Sequence, residues 1–307
     1  MPIPRLPNYP DYNATKNIPV IFAGKTLEKF YAASTVANIA TTDYVGEIKN
    51  QGDTVWIRTV PSITIKPYKK GQRLELEYPE STYVEFTVNR AKYYNFALDD
   101  IDIKQFDLNM MDKYAQDASQ QLKIVYDREV FGTIYVDVDE NNRGPNAGKQ
   151  THAFNLGETG SPLEVTKNNI IDLIVDMGTV LDEQDRPRTD RYIVLPPKIA
   201  GLIKKSELKD ASLTGDRQSV LRSGLIGRID DFDIYISNLL PIVEDGGSKC
   251  TYIYFGHKSA LVFVMQLVKE ETYRPPDTFA EAMKGLVVYD FKVLQPASLG
   301  VAYVKLV

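Results

Sequence analysis

The 307-residue chain is poor in the residues from which many functional sites are built, with one cysteine, two histidines and one tryptophan. Because Cys250 has no partner within the chain, a disulfide-stapled secreted domain is excluded. His152 and His257 are the only imidazoles, which excludes a Cys/His zinc site. The sequence has no uninterrupted apolar run of about 18 residues, so no membrane span is expected.

Charge and proline content narrow the class further. The chain has 36 lysines and arginines against 41 acidic residues, a formal net charge of −5. Such a chain is a poor general nucleic-acid binder, because affinity for phosphate comes from clustered cations. Residues 1–20 contain five prolines, which fix φ and remove backbone donors, so this segment cannot be a helix or a central strand. It is interpreted as an extended arm, although a disordered tail fits it equally well.

The region from Gly52 to Val88 has the two-residue period of β-strands. The run TVWIRT and the return run YVEFTV each alternate apolar and polar residues, and PYKKG between them is typical of a turn. This predicts a long β-hairpin with a charged tip. Because a two-stranded hairpin is marginal alone in water, it must lie against its own body or against another subunit.

A long helix is predicted from Lys104 to Phe131, where neither proline nor glycine interrupts the chain. Apolar residues recur there at steps of three and four, which gives one narrow stripe along a helix. Aspartates at its expected start would favour the helix dipole. Packing of one face against a sheet is preferred to a coiled coil, for which the pattern is too short. The stripe consists of Leu108, Met111, Ala115, Ala118, Leu122 and Val125.

A second body follows the loop at residues 137–150. A helix with apolar residues from Ile170 to Leu181 precedes the short strand RYIVL, and a further helix follows Pro196. FDIYI and the runs after residue 251 are predicted as more strands. Strands interleaved with helices indicate an α+β or mixed α/β body.

Sequence patterns that resemble reactive sites fail on inspection. Gly24-Lys25-Thr26 resembles the end of a phosphate loop, but Pro19 occupies the place of its first glycine. The acidic loop from Asp137 lacks the central glycine and the final glutamate of a calcium loop. No catalytic constellation rises above background, so no enzymatic activity and no cofactor are expected.

Several runs together resemble the major capsid (coat) proteins of tailed bacteriophages, with the Hong Kong 97-type fold. GDTVWIRTVP, followed by AKYYNFALDDIDIKQFDLNMMDKYAQDASQQLKIVYDREVF, is similar to that family's extended loop (E-loop) leading into its spine helix. RYIVLPPKIAGLIK and GLIGRIDDFDIYISNLLP resemble segments of its axial domain, and FGHKSALVFVMQ precedes a similar terminal run. The coat proteins of short-tailed phages are nearest in character. The resemblance covers nearly the whole chain.

The resemblance implies a role for each part of the chain. Residues 1–50 would be an N-terminal arm and residues 51–92 the E-loop, lying over an adjacent subunit. Residues 93–165 would form the peripheral domain, with the spine helix at about 99–131. Residues 166–250 would be the axial domain, 251–290 the return strands of the peripheral domain, and 291–307 the terminal strand of the axial domain. The E-loop tip would contact a neighbour through Lys69, Lys70, Gly71 and Arg73.

The family's assembly is likewise implied by resemblance alone. Such proteins form pentamers and hexamers in an icosahedral shell that encloses double-stranded DNA without reading its sequence. A scaffolding protein and a portal are implied partners, a decoration protein is left open, and no membrane is involved. The protein would be a virion component assembled in the cytoplasm of a host bacterium. Some relatives join subunits by Lys–Asn bonds. Lysines at the tip would suit this, but solubility of an exposed turn is the preferred explanation for them.

Two alternatives and one hypothesis remain at this stage. An encapsulin-type nanocompartment shell would share the fold, and a soluble α/β enzyme would not form particles. The hypothesis concerns the acidic start of the spine region, which would repel packed phosphates if it faces the shell interior. The residues proposed to face the interior are Asp99, Asp100, Asp102 and Asp107.

Overall fold

The computed structural model describes residues 32, 34–41, 54–58, 60, 61, 63–81, 83–100, 110–206 and 227–306. The helices among these residues are α1 (Val36–Ile39), α2 (Met110–Thr133), α3 (Ile170–Glu183) and α4 (Pro197–Lys205). Residues 1–31 lie outside the described residues. The expectation of an extended N-terminal arm therefore stays a prediction.

The fold contains two small sheets. Strands β1 (Thr54–Arg58) and β2 (Tyr83–Thr87) pair antiparallel. A three-stranded antiparallel sheet has the order β10–β11–β3, with β3 at Arg90–Asp99, β10 at Leu261–Tyr273 and β11 at Ala280–Val293. The chain thus returns more than 160 residues later to complete the sheet that β3 begins.

A larger mixed sheet of seven strands forms the second body, with the order β4–β12–β9–β5–β7–β6 and with β8 paired to β9. Its parallel pairs are β5 with β7 and β4 with β12. The strands are β4 (Leu163–Glu164), β5 (Arg191–Leu195), β6 (Arg228–Ile229), β7 (Phe232–Ile236), β8 (Ile242–Asp245), β9 (Ser248–His257) and β12 (Leu299–Lys305).

The core lies on both faces of this larger sheet. On one face α3 and α4 pack against alternate strand residues, among them Ile193 and Phe255. On the other face Val194 and Tyr254 contact the C-terminal end of α2, where Phe131 is fully buried. Because every residue of β5 is buried, its sequence is a continuous apolar run after Arg191 and lacks the alternation of a half-exposed strand.

The described structure bears on two predicted boundaries and corrects one of them. The spine helix was expected from about residue 99; Asp99 is the last residue of β3, where it pairs with Ala280, and Asp100 is helical. Helix α2 runs from Met110 to Thr133, about 36 Å at 1.5 Å per residue, and residues 101–109 lie outside the description. The boundary at residue 250 divides β9, whose residues 251–257 pair with β12 and β5 and so belong to the larger sheet.

Candidate assembly surfaces

The hairpin that begins with β1 and β2 keeps one register from its base to its tip. At the base Thr54 pairs with Thr87 and Arg58 with Tyr83. Farther out, Lys66 Nζ lies 2.6 Å from Glu75 Oε2, and at the tip the Gln72 amide donates to the Lys69 carbonyl at 2.9 Å. These contacts continue the pairing of the base, so the predicted long hairpin is confirmed.

One face of this hairpin is apolar along its whole length. At the base, Ile57 and Phe86 pack with Val88 and neighbouring valines of the three-stranded sheet, and Phe86 is buried. Because side chains alternate across extended chains, the same face carries Ile63, Ile65, Leu76 and Tyr78 farther out. Those four side chains are 63, 90, 77 and 82% exposed. An apolar surface that the subunit covers at the base therefore continues uncovered for roughly 40 Å at about 3.3 Å per residue.

The opposite face of the hairpin is mixed. Near the base Trp56 stacks on Tyr83, with ring centroids 4.7 Å apart. Farther out, Glu77 accepts from the Thr64 amide and hydroxyl, both at 3.2 Å, and Lys66 pairs with Glu75. The face of Ile63 and Ile65 is therefore the more uniformly apolar of the two, and it is suited to lie on a partner.

The tip residues predicted from sequence lie together at the far end of the hairpin. Lys69, Lys70, Gly71 and Arg73 are all exposed. Gly71 has φ of +84°, which a type II turn requires at its third position and which side-chain-bearing residues rarely adopt. The tip therefore presents three cations on a tight turn, although the subunit to which they would bind is not part of the structure.

The predicted spine stripe is only partly covered by its own subunit. Met111, Ala115, Ala118, Leu122 and Val125 are half-buried, and Leu108 lies outside the described residues. Leu122 packs against the main core cluster, and Ala115 and Leu122 line a groove of about 210 Å³ beneath the helix. The fully covered face lies nearer the C-terminal end, at Tyr126, Val130 and Phe131.

Sequence reasoning missed a charged junction between the spine helix and the three-stranded sheet. Glu129 accepts from Lys92 Nζ at 2.6 Å, and it also bonds the Tyr289 hydroxyl and Arg90. Partial burial raises the pKa of Glu129, but the bonds and charges of Lys92, Tyr289 and Arg90 outweigh it and lower that pKa below its ordinary value. Arg90 also reaches Asp290 at 3.3 Å, so one cluster joins α2, β3 and β11.

The second missed residue is Asp127, a carboxylate that is only 2% exposed on the spine helix. It accepts from the Ser34 hydroxyl at 2.9 Å and from the amides of Thr35 and Val36 at 2.6 and 3.4 Å. Burial raises the pKa of Asp127, and these hydrogen bonds oppose that shift without cancelling it. A side chain of the spine helix thus holds the start of α1. The sequence gives no signal of this, because the burial of Asp127 depends on its contacts with a distant segment.

Two of the four acidic residues proposed to face the interior are among the described residues. Asp99 is exposed at the end of β3, and Asp100 is partly buried with Arg274 at 3.4 Å. Asp102 and Asp107 lie outside the described residues. The direction in which this group faces in a shell stays a prediction.

Neither histidine lies in a recognisable catalytic arrangement. His257 Nδ1 lies 2.8 Å from the Ser259 hydroxyl in a short turn, and partial burial lowers the pKa of its imidazole. His152 lies in a surface loop with φ of +49°. Across the described ranges, no group of three or more metal-ligating side chains comes together. Within the same ranges, no helix has both the length and the apolar character of a membrane span.

This arrangement is similar to that of solved phage capsid structures. A family model described as phage capsid protein matches residues 82–303. The fold is similar to that of a Mycobacterium phage Che8 structure, with a TM-score of 0.73, 24% identity, and coverage of 93% of this chain and 96% of that one. The capsid structure of cyanophage P-SCSP1u gives a TM-score of 0.68 at 16% identity, with coverage of 97 and 99%. No curated protein matches significantly.

The long hairpin, the spine helix and the two bodies are therefore those of a Hong Kong 97-type capsid fold, as the sequence resemblance predicted. The chain belongs to the phage capsid protein family, since the family model spans well over half of it. It is a major capsid protein, a structural component of the virion, and an encapsulin is not favoured.

Proposed function

We propose that this protein assembles as pentamers and hexamers into an icosahedral shell around phage double-stranded DNA, with a scaffolding protein and a portal as partners. The bacteriophage PhiM1 mature capsid, similar at a TM-score of 0.65 and 19% identity over 99% of this chain, supports shell formation. Assembly in the host cytoplasm belongs to the same proposal. In this proposal the protein acts through its contacts with other subunits and catalyses no reaction.

The observation that carries this proposal is the uncovered apolar face of the E-loop, residues 60–81. A monomer that exposes Ile65, Leu74, Leu76 and Tyr78 in one extended strip would lose stability or aggregate unless a partner covers the strip. Each Å² of apolar surface that is buried contributes about 25 cal/mol. Covering this strip would therefore favour binding of a neighbouring subunit. The body of an adjacent copy is the partner proposed.

The remaining parts take their proposed roles from this arrangement. The body built on α2 and the three-stranded sheet would be the peripheral domain, and the seven-stranded sheet with α3 and α4 the axial domain. The tip cations Lys69, Lys70 and Arg73 would meet carboxylates of a neighbour. The acidic group at Asp99 and Asp100 would face the interior and repel packed phosphates.

A pair of double variants tests the E-loop role. Ile65→Ser with Leu76→Ser removes apolar surface that is already exposed, so monomer folding should be unchanged while shell yield falls at least tenfold. Thr64→Ser with Glu75→Gln on the opposite face is the matched control and should assemble normally. Circular dichroism and sedimentation separate the two effects. Normal shells from the first variant would refute the proposed role of the apolar face.

A further inference from the structure

A cleft rich in tyrosine lies on the larger sheet, away from the hairpin. Its volume is about 480 Å³, and it opens between the sheet and two loops at residues 140–145 and 157–159. The rings of Tyr135 and Tyr252 stack with centroids 4.8 Å apart and planes 8° from parallel. The residues that define this tyrosine cleft are the floor residues Tyr135, Tyr252 and Tyr303 and the rim residues Glu140, Arg143 and Glu158.

The floor of the cleft offers unused hydrogen-bond donors. Tyr303 is almost fully buried and donates its hydroxyl to Asp245 at 3.2 Å. Among the residues that the structure describes, the hydroxyls of Tyr135 and Tyr252 have no hydrogen-bond partner, and both rings are only half-buried. Flat aromatic walls with free hydroxyls are the surface that binds polyproline II segments, whose backbone carbonyls lack internal hydrogen bonds.

The chain itself carries a segment with the matching periodicity. Pro4, Pro7 and Pro10 recur at every third residue of PIPRLPNYP. Polyproline II has three residues per turn, so these prolines would lie along one edge of such a helix. Because proline presets this conformation, little chain entropy would be lost when the segment binds.

Charge favours the same occupant. The segment of residues 2–10 has Arg5 as its single charged residue. The rim of the cleft has exposed Glu140 and Glu158 against one cation, Arg143, an excess of one negative charge. A rim glutamate can therefore pair with Arg5 while the prolines contact the tyrosine rings.

We propose that the tyrosine cleft is a docking site for the proline-rich segment at residues 2–10 of this protein, bound as a polyproline II helix. The inference goes beyond shell formation through the E-loop, and it concerns a different face of the molecule. It gives the arm a defined receptor on the axial body, through which one subunit is tied to its own body or to a neighbour.

A peptide-binding experiment tests this inference. The full-length chain with Pro4→Ser, Pro7→Ser and Pro10→Ser, which disables its own segment, is titrated into a fluorescent peptide of residues 2–12. Anisotropy should show saturable binding that weakens at least tenfold when Tyr252→Ala is added. Tyr93→Ala, an exposed tyrosine outside the cleft, is the matched control and should leave binding unchanged. A peptide of the same composition without the three-residue spacing should not bind.

Exchanging the charges of Glu158 and Arg5 distinguishes specific docking from non-specific adhesion. Both substitutions leave the protein core unchanged. Glu158→Lys should weaken the natural peptide at least threefold and should bind an Arg5→Glu peptide better than the unmodified chain does. Circular dichroism confirms that each variant is folded. Absent binding, equal binding by the Tyr252→Ala chain, or equal binding of the scrambled peptide would each overturn the inference. Shell formation by the same samples is scored separately, so failure here leaves the E-loop proposal standing.

Discussion

Asp127 Oδ2 accepts a 2.6 Å hydrogen bond from the backbone amide of Thr35, a residue 92 positions earlier in the chain. The same carboxylate bonds Ser34 and Val36, so it satisfies amides that the first turn of α1 leaves without intrahelical partners. From α1 the chain continues to Thr41, whose amide and carbonyl both bond β10. A single buried side chain of the spine helix thus fixes the start of α1 against the body.

Replacing Asp127 with alanine should destabilise the protein markedly. Several amides and a hydroxyl would lose a buried acceptor, which costs about 1–3 kcal/mol of the free energy of unfolding. Hydrogen exchange of residues 34–41 should rise in the same variant. Arg128→Ala, at the exposed neighbouring position, serves as the control and should change neither quantity. Unchanged exchange in Asp127→Ala would show that the carboxylate does not hold α1.

The junction at Glu129 should make stability depend on acidic pH. Its pKa is lowered in the folded state below the ordinary 4.5, so the carboxylate stabilises the fold above that pH and loses this effect as pH falls through the lowered pKa. Urea unfolding of the natural chain and Glu129→Gln should differ most near neutral pH. The difference should shrink below about pH 4. A difference that stays constant from pH 7 to pH 3 would contradict this assignment.

Two glycines paired with aromatic rings should respond differently to alanine. A Cβ on Gly300 would lie 2.2 Å from the Phe255 ring, and one on Gly285 would lie 2.3 Å from the Tyr94 ring. Phe255 is fully buried, so Gly300→Ala should cost about 1–3 kcal/mol through overpacking. Tyr94 is half-exposed and can turn toward solvent, so Gly285→Ala should cost less. Thermal unfolding measures both, and the reverse order would contradict the packing described.

The half-buried stripe of α2 gives a graded prediction. Leu122→Asp should lower the free energy of unfolding by several kcal/mol, because a carboxylate would enter the contact between helix and core. Gln121→Asp, one residue away on the exposed side, introduces the same charge and should have an effect within about 0.5 kcal/mol. Denaturant titration of the two variants provides the comparison. Equal effects would mean that the stripe does not pack on the subunit's own core.

The sequence predicted those features that depend on local periodicity. Alternation identified the two arms of the hairpin and the run PYKKG its turn, since a period of two fixes both faces before any partner is known. The helical period identified α2 but not its most buried side chains, because the predicted stripe ends at Val125 and leaves out Tyr126 and Asp127. Pairing between distant segments was beyond such reasoning. The bond from Tyr289 to Glu129 joins residues 160 apart, and only the return of β11 beside β3 brings them together.

The beginning of the spine shows the same limit at a single residue. The prediction placed the helix start at about residue 99, whereas Asp99 is the last residue of β3, paired with Ala280 of β11, and Asp100 is helical. The exposure of the hairpin could not be predicted either. Alternation in the sequence indicates an apolar face, but only the fold shows how much of that face the subunit leaves uncovered.

Cryo-electron microscopy of the purified protein after assembly tests the central claim most directly. The account predicts closed icosahedral particles in which the E-loop of each subunit lies on a neighbour, with Ile65 and Leu76 buried at that contact. Particles whose hairpins project freely into solvent would contradict it. So would a preparation that remains a folded, dispersed monomer with the hairpin exposed under conditions in which scaffolding protein is supplied.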